Sequence, residues 1–144
     1  MKNHFIVCGA GDTGIYVIDE LIQMGMEFIV IEYNGKRLKQ LLETREFRYI
    51  EGDATDEDVL HEAEIGNARG LCAALSADRD NLFLVITAKS LNPDLMVVSK
   101  AVEETSKPKL IRAGADAVII PEEIGVSRVV SFLFMPGVIS FLDE

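Results

Sequence analysis

Short apolar runs alternate along the chain with stretches whose apolar residues recur at helical spacing. "HFIVCG", "EFIVIE", "FRYIEGD", "RGLCAALS", "DLMVVSKA" and "ADAVIIP" are the short runs. Their length and flanking turn residues predict strands, and their continuous apolar character predicts cover on both faces. Between the first two, "TGIYVIDELIQMG" sets Ile15, Ile18, Leu21 and Ile22 on one helical face and stops at Gly25. "NGKRLKQLLETR" predicts a second helix capped by Asn34. "TDEDVLHEAEI" is a short helix opened by Thr55 and Asp56, "DRDNLFLVITAKSLN" a longer one, and "VEETSKPKLIRAG" a polar one interrupted by Pro108. "EEIGVSRVVSFLF" is the last helix, and "MPGVISFLDE" follows it.

This alternation predicts an α/β fold, a doubly wound parallel sheet of six strands with helices on both faces. Right-handed crossovers give the strand order 3-2-1-4-5-6 and open a crevice at the carboxyl ends of strands one and four. The chain has 144 residues, 49% of them apolar, which suits a single domain with a continuous core. That domain is expected over residues 1–135, with a C-terminal tail over 136–144 and no second lobe.

Charge narrows the partners. The 24 acids against 14 bases leave a formal net charge of −10. Such a surface repels nucleic acid and anionic lipid, so no nucleic-acid partner is expected. A small anion remains compatible, because oriented backbone N–H groups bind phosphate locally. No apolar run approaches the roughly 20 residues that span a bilayer, so no direct membrane insertion is expected. Cys8 and Cys72 both sit in apolar runs and are read as buried core thiols, and their low count fits a reducing cytosol.

Candidate chemistry lies first in "VCGAGDTG". Gly9, Gly11 and Gly14 have the G-x-G-x-x-G spacing after a strand and before a helix. In this pattern the first glycine permits the turn, the second lets backbone approach a pyrophosphate, and the third lets helix and strand pack. Glu32 ends the second strand, 18 residues past Gly14, where an acid can accept from both ribose hydroxyls. Its charge would repel a 2′-phosphate, which disfavours NADP. Asp12 brings no cation for a terminal phosphate. In "EGDAT", Asp53 could accept from an adenine amino group or hold the loop; the other reading is a helix cap, a role Thr55 or Asp56 could fill equally well.

Taken together, "VCGAGDTG", "VIE", "EGDATDEDVL", "LSADRDN" and "RAGADAVIIPEE" resemble one family over Phe5 to about Phe134. It is the nucleotide-binding N-terminal domain of Trk/Ktr-type potassium-transport regulators, also called the regulator of potassium conductance (RCK) domain. The resemblance implies a Rossmann-like regulatory domain that gates a potassium channel or transporter. It implies homodimers that assemble into an octameric ring, located in the cytoplasm and peripheral to the inner face of the membrane through the pore partner. Carried over, the dinucleotide contacts fall on Gly9, Ala10, Gly11, Asp12, Thr13, Gly14, Glu32, Asp53, Ala54, Leu75, Ser76 and Lys100. Lys100 stands where many relatives carry arginine, keeping the charge without the planar fork.

Two departures refine the ligand. ATP-responsive relatives often carry arginine inside the glycine loop, where this chain has Asp12. The expected ligand is therefore NAD or NADH, with AMP, ADP or ATP as alternatives. Calcium-gated relatives place acids on strand five, where this chain has Lys100 and Val102. Asp53 alone falls short of the roughly six to eight oxygens calcium takes, so no metal site is expected. Asp56, Glu57, Asp58, Glu62 and Glu64 are read as a helix-start cluster that compensates the helix dipole.

The competing readings are a small NAD-dependent oxidoreductase and a structural ring subunit without ligand. Hydride transfer needs a placed substrate and an acid–base group. His4 and His61 are both read as surface residues away from the expected nicotinamide position, so the chain is not read as an enzyme and no catalytic residue is assigned. In the last helix, Ile124, Val126, Val129, Val130, Phe132, Leu133, Phe134 and Met135 leave little polar face. Such a helix must be buried, and the expectation is a dimer contact rather than packing on its own sheet.

Overall fold

In a computed structural model, residues 1–134 of the chain are described; Met135 and the expected tail at 136–144 lie outside the described residues. The strands are β1 (Phe5–Cys8), β2 (Phe28–Glu32), β3 (Arg48–Glu51), β4 (Gly70–Ala73), β5 (Met96–Lys100) and β6 (Ala117–Ile119). The helices are α1 (Gly14–Gln23), α2 (Gly35–Leu42), α3 (Glu57–Glu62), α4 (Asp78–Leu91), α5 (Lys107–Ala113) and α6 (Pro121–Phe134). The sheet runs β3-β2-β1-β4-β5-β6, and each neighbouring pair is parallel. This is the expected order, with β1 and β4 adjacent at the centre, where the connections diverge to opposite edges.

Strand alternation divides the core. Ile6, Cys8, Ile31, Leu71 and Val97 point to one face and pack with Leu60, Leu84, Val85 and Leu110. Val7, Phe28 and Val30 point to the other and pack with Ile18 and Leu41. The first cluster extends from β2 to β6. The second covers only the β1–β3 half, under α1 and α2. α6 does not fold back over the remaining half: none of its residues is buried. Packing on its own sheet, the alternative considered for this helix, does not occur. Cys72 and Val98 are therefore only half-buried and Met96 is exposed, rather than enclosed on both sides.

Other local expectations meet corrections. Cys8 is buried as expected, but Cys72 is not, for the reason just given. His4 is buried rather than a surface residue: its Nε2 lies 2.8 Å from the Ala63 carbonyl oxygen, because the chain leaving α3 folds over the start of β1. His61 is exposed on α3. Pro108 does not interrupt a helix; it stands in the first turn of α5, where its missing N–H needs no partner, and a 3-10 turn at Glu104–Ser106 precedes it. Ile22 is exposed, because Gly14 and Ile18 form the inner row of α1. Asn34 caps α2, accepting from the Arg37 N–H at 3.1 Å. Asp56, not Thr55, caps α3, and Glu62 and Glu64 fall at its far end rather than in a helix-start cluster.

One buried side chain ties the β4 and β5 ends together at the carboxyl edge. Asn81 in the first turn of α4 is fully enclosed. Its Oδ1 accepts from the Leu75 N–H at 2.9 Å, and its Nδ2 donates to the Leu75 carbonyl at 3.0 Å and the Lys100 carbonyl at 3.3 Å. Nearby, Asp78 accepts from the Val102 and Glu103 N–H groups at 2.8 and 2.9 Å. Partial burial pushes the Asp78 carboxyl up, but those two N–H groups, Ser106 and the Lys100 charge bring it below the usual range. The Arg45 hydrogen bond lowers Asp19, and the Val97 N–H followed by Lys89 lowers Asp116.

Asn81→Ala leaves the Leu75 N–H and carbonyl without this partner and the Lys100 carbonyl with only the Ser99 hydroxyl, and is expected to lower unfolding free energy by about 2–4 kcal/mol, read from urea melts. A melt unchanged within error would show that the clamp contributes nothing. The Asp19, Asp78 and Asp116 carboxyls, and Glu64 beside the N-terminal ammonium, are all depressed and contribute to the acid response. Each is ionised in the folded chain below its unfolded value, so its contribution is complete above that value and disappears as pH falls through the folded one. The urea midpoint is expected to hold between about pH 6 and 5 and to fall steadily below about pH 4. A midpoint that rises on acidification would contradict these pairings.

Candidate functional site

The loop after β1 is set by contacts that only glycine survives. Gly9 has φ +99°, and a Cβ there would sit 2.4 Å from the Ala74 carbonyl oxygen. A Cβ on Gly14 would meet the Gly9 carbonyl oxygen at 1.8 Å. These two glycines close the turn and bring the start of α1 against β1, as the spacing predicts. Gly11 differs. The nearest atom to a Cβ there is Arg37 Nη1, at 3.4 Å, the end of a flexible side chain. Backbone at Gly11 is thus open to an approaching ligand rather than closed by the fold. Thr13, at the N-cap of α1, makes no side-chain cap bond, so the adjacent helix terminus has no side-chain acceptor there.

Glu32 braces this loop from β2. It is buried, and both oxygens are engaged: Oε1 accepts from the Ala10 N–H at 2.7 Å and Oε2 from the Asn34 N–H at 2.8 Å. Each carboxylate oxygen retains further acceptor capacity for a hydroxyl. Arg37 reaches back from α2, with Nη1 3.9 Å from Glu32 Oε1.

The opposite wall comes from the β3, β4 and β5 ends. Asp53 Oδ1 accepts from the Thr55 N–H at 2.9 Å and from its hydroxyl at 2.7 Å. Of its two sequence readings, holding the loop is the one the structure displays; capping falls to Asp56. The resulting cleft holds about 460 Å³ and brings together Gly9, Gly11, Asp12, Glu32, Asp53, Ala54, Leu75, Ser76 and Lys100. Ala10, Thr13 and Gly14 are not on its walls. Ala10 is buried behind Glu32, Gly14 packs on Gly9, and Thr13 lines a shallower depression beside Pro121.

Sequence reasoning missed Arg37 and gave Asn81 no role. Arg37 lies outside every motif; its position depends on the angle of α2. Asn81 fell within "LSADRDN", but its clamp on Leu75 and Lys100 is tertiary. Acids predominate on the cleft walls, with Asp12, Glu32, Asp53 and Asp80 against Arg37 and Lys100.

Burial pushes the Cys8 thiol well up, and burial raises Cys72 to about 11, so both are protonated at neutral pH. His4 sits at the amino end of β1, away from the glycine loop, and His61 is on α3 beside Glu57. Among the described residues, no group of three or more His, Cys, Asp or Glu side chains is placed to hold a metal ion.

Comparison with known proteins matches this geometry. Residues 5–121 match the TrkA-N domain. The chain is 41% identical to the probable potassium channel protein 2 of Methanocaldococcus jannaschii, over 99% of this chain and 42% of that protein. It is 32% identical to the Trk system potassium uptake protein TrkA homolog of Pyrococcus horikoshii, over 93% of this chain and 61% of that protein. The chain therefore spans less than two thirds of either relative. Among solved structures, the GsuK channel bound to NAD superimposes with a TM-score of 0.80 and 26% identity, covering 92% of this chain and 24% of that one. With this match over most of its length, the chain belongs to the TrkA-N domain family.

Proposed function

We propose that this chain is a ligand-binding regulatory domain that gates a potassium channel or transporter. The observation that carries the reading is the Gly11 approach: a glycine whose missing side chain serves no internal packing, at the floor of a cleft braced by Glu32. The ligand is an adenine nucleotide, NAD or NADH first, with AMP, ADP and ATP as alternatives. The similarity to the GsuK channel bound to NAD and to potassium channel and uptake proteins supports this. Gly9 to Gly14 form the phosphate loop, Glu32 takes the ribose, Asp53 and Ala54 border the adenine, and Leu75, Ser76 and Lys100 form the far wall. The output is a change in geometry rather than a product, so the domain is not an enzyme.

The reading includes a second copy of the chain. Val126, Val129, Phe132, Leu133 and Phe134 are each more than half exposed on α6. Leaving such side chains in water forgoes about 1.5–3 kcal/mol apiece, against a total domain stability of only about 5–15 kcal/mol. The uncovered face beside α1, lined by Val17, Leu21, Cys72, Met96 and Val98, is apolar and suits a helix from a partner copy. Exposed Phe83 and Ile86 on α4 provide a separate apolar surface for assembling dimers into an octameric ring. No described helix is long and apolar enough to cross a membrane. On this reading the domain acts from the cytoplasmic side, through its pore partner. The domain is read as extending over residues 1–135.

Calorimetry with NAD, NADH, AMP, ADP and ATP tests the site. Gly11→Val is expected to keep the fold, within about 1 kcal/mol of the parent, while weakening nucleotide binding at least about tenfold. Gly14→Val is expected to unfold the chain. Nucleotide binding unaffected by Gly11→Val would reject the site. For assembly, Phe132→Asp or Phe134→Asp is expected to convert a dimer to a monomer in analytical ultracentrifugation, and an unchanged sedimentation coefficient counts against the α6 interface.

A further inference from the structure

We propose that Arg37 is the cation that reads the ligand's 5′-phosphates at this site, a role that rests on the nucleotide-sensing reading above. The geometry is specific. In a glycine loop of this kind a pyrophosphate descends onto the second glycine. Arg37 Nη1 lies 3.4 Å from the point a Gly11 side chain would occupy. The guanidinium is therefore already over the approach path.

Its donors are also unused. The pair with Glu32 is 3.9 Å long, beyond hydrogen-bond reach, and the guanidinium makes no hydrogen bond among the described residues. A planar fork with five N–H groups is matched to phosphate oxygens. Glu32, whose oxygens accept from the Ala10 and Asn34 N–H groups, leaves the guanidinium at that distance. The side chain is about half exposed, at 49%, so it can turn toward an arriving anion. Its backbone, in contrast, is fixed: the Arg37 N–H is held by the Asn34 cap.

Charge makes the residue necessary. Asp12, Glu32, Asp53 and Asp80 all line the cleft. A phosphate entering between them meets like charge from several sides, and the loop N–H groups must work against that field. Lys100 stands on the β5 wall and Arg37 on the α2 wall, so each supplies a cation from a different side.

The test is titration of the parent chain, Arg37→Ala and Arg37→Lys with ADP, 5′-AMP, 2′-AMP and adenosine, followed by calorimetry and, for the weaker ligands, ligand-observed NMR. Arg37→Ala is expected to weaken ADP binding about tenfold to a hundredfold, the loss of a charge-assisted hydrogen bond. Adenosine affinity is expected to change less than about twofold, because adenosine lacks the phosphate. Arg37→Lys should fall between, retaining charge without the fork. Added salt should weaken ADP binding more in the parent than in Arg37→Ala. Equal losses for ADP and adenosine would make Arg37 a merely structural residue and overturn the proposal, as would unchanged ADP binding. Preference for 2′-AMP over 5′-AMP, abolished in Arg37→Ala, would move the contact to the 2′-position and overturn it as well. A parent chain that binds none of these ligands overturns the nucleotide reading itself and the Arg37 role with it. A parent chain whose ADP binding depends on Gly11 but not on Arg37 overturns only the latter.

Discussion

At the carboxyl end of β1, the backbones of Gly9 and Gly14 approach so closely that one methyl group would lie 1.8 Å from a carbonyl oxygen. Most of the site depends on this contact. It draws α1 against β1, turns the helix terminus toward the crevice and leaves Gly11 as the open point of the loop. The buried carboxylate of Glu32 then fixes the loop from the side through the Ala10 N–H. A buried carboxylate is costly unless hydrogen-bonded, and two backbone donors supply that compensation here. The loop is thus held by sterics on one side and by a charge-assisted bond on the other.

Much of this was legible in the chain. The parallel sheet and its order follow from apolar runs alternating with helical patterns, and the glycine roles follow from their spacing. What escaped depends on how distant segments meet. His4 lies near the start of the chain among polar residues, where surface is the natural reading; only the return from α3 over β1 buries it. Cys72 belongs to a run that looks covered on both faces, yet half of one sheet face stays open because α6 departs. Pro108 reads as a helix breaker, although the same missing N–H suits a helix start. Arg37 and Asn81 carry no motif: one depends on the tilt of α2, the other on three carbonyl and amide groups that converge only after β4 and β5 pair.

The open half of the sheet and the exposed α6 are two parts of one problem. A doubly wound sheet buried on both faces needs helices on both, and this chain supplies cover for one whole face and half of the other. The strands at the uncovered half nonetheless carry apolar residues, Val98 and Met96 among them. Apolar surface on two separate elements, a sheet face and a helix, is complementary between copies of the chain without requiring any change within one copy. In the dimer proposed above, reciprocal cover of this kind would make the geometry depend on the direction in which α6 leaves β6.

That direction is set beside the nucleotide loop. Asp12 and Thr13 share one surface depression with Lys100, Ala101, Pro121 and Glu122, so the outer side of the glycine loop adjoins the first turn of α6. Lys100 and Asp12 also line the main cleft. The same residues therefore border the main cleft on one side and the first turn of α6 on the other, which on the reading proposed above are the ligand site and the interface helix. A ligand shifts an equilibrium between two arrangements only by contacting them differently. Residues that face both the cleft and the root of α6 are where such a difference arises, whereas a ligand held only by Glu32 and the α2 wall would bind without altering the angle of the helix. Binding on one wall gives affinity; bridging to the β5 wall gives a signal.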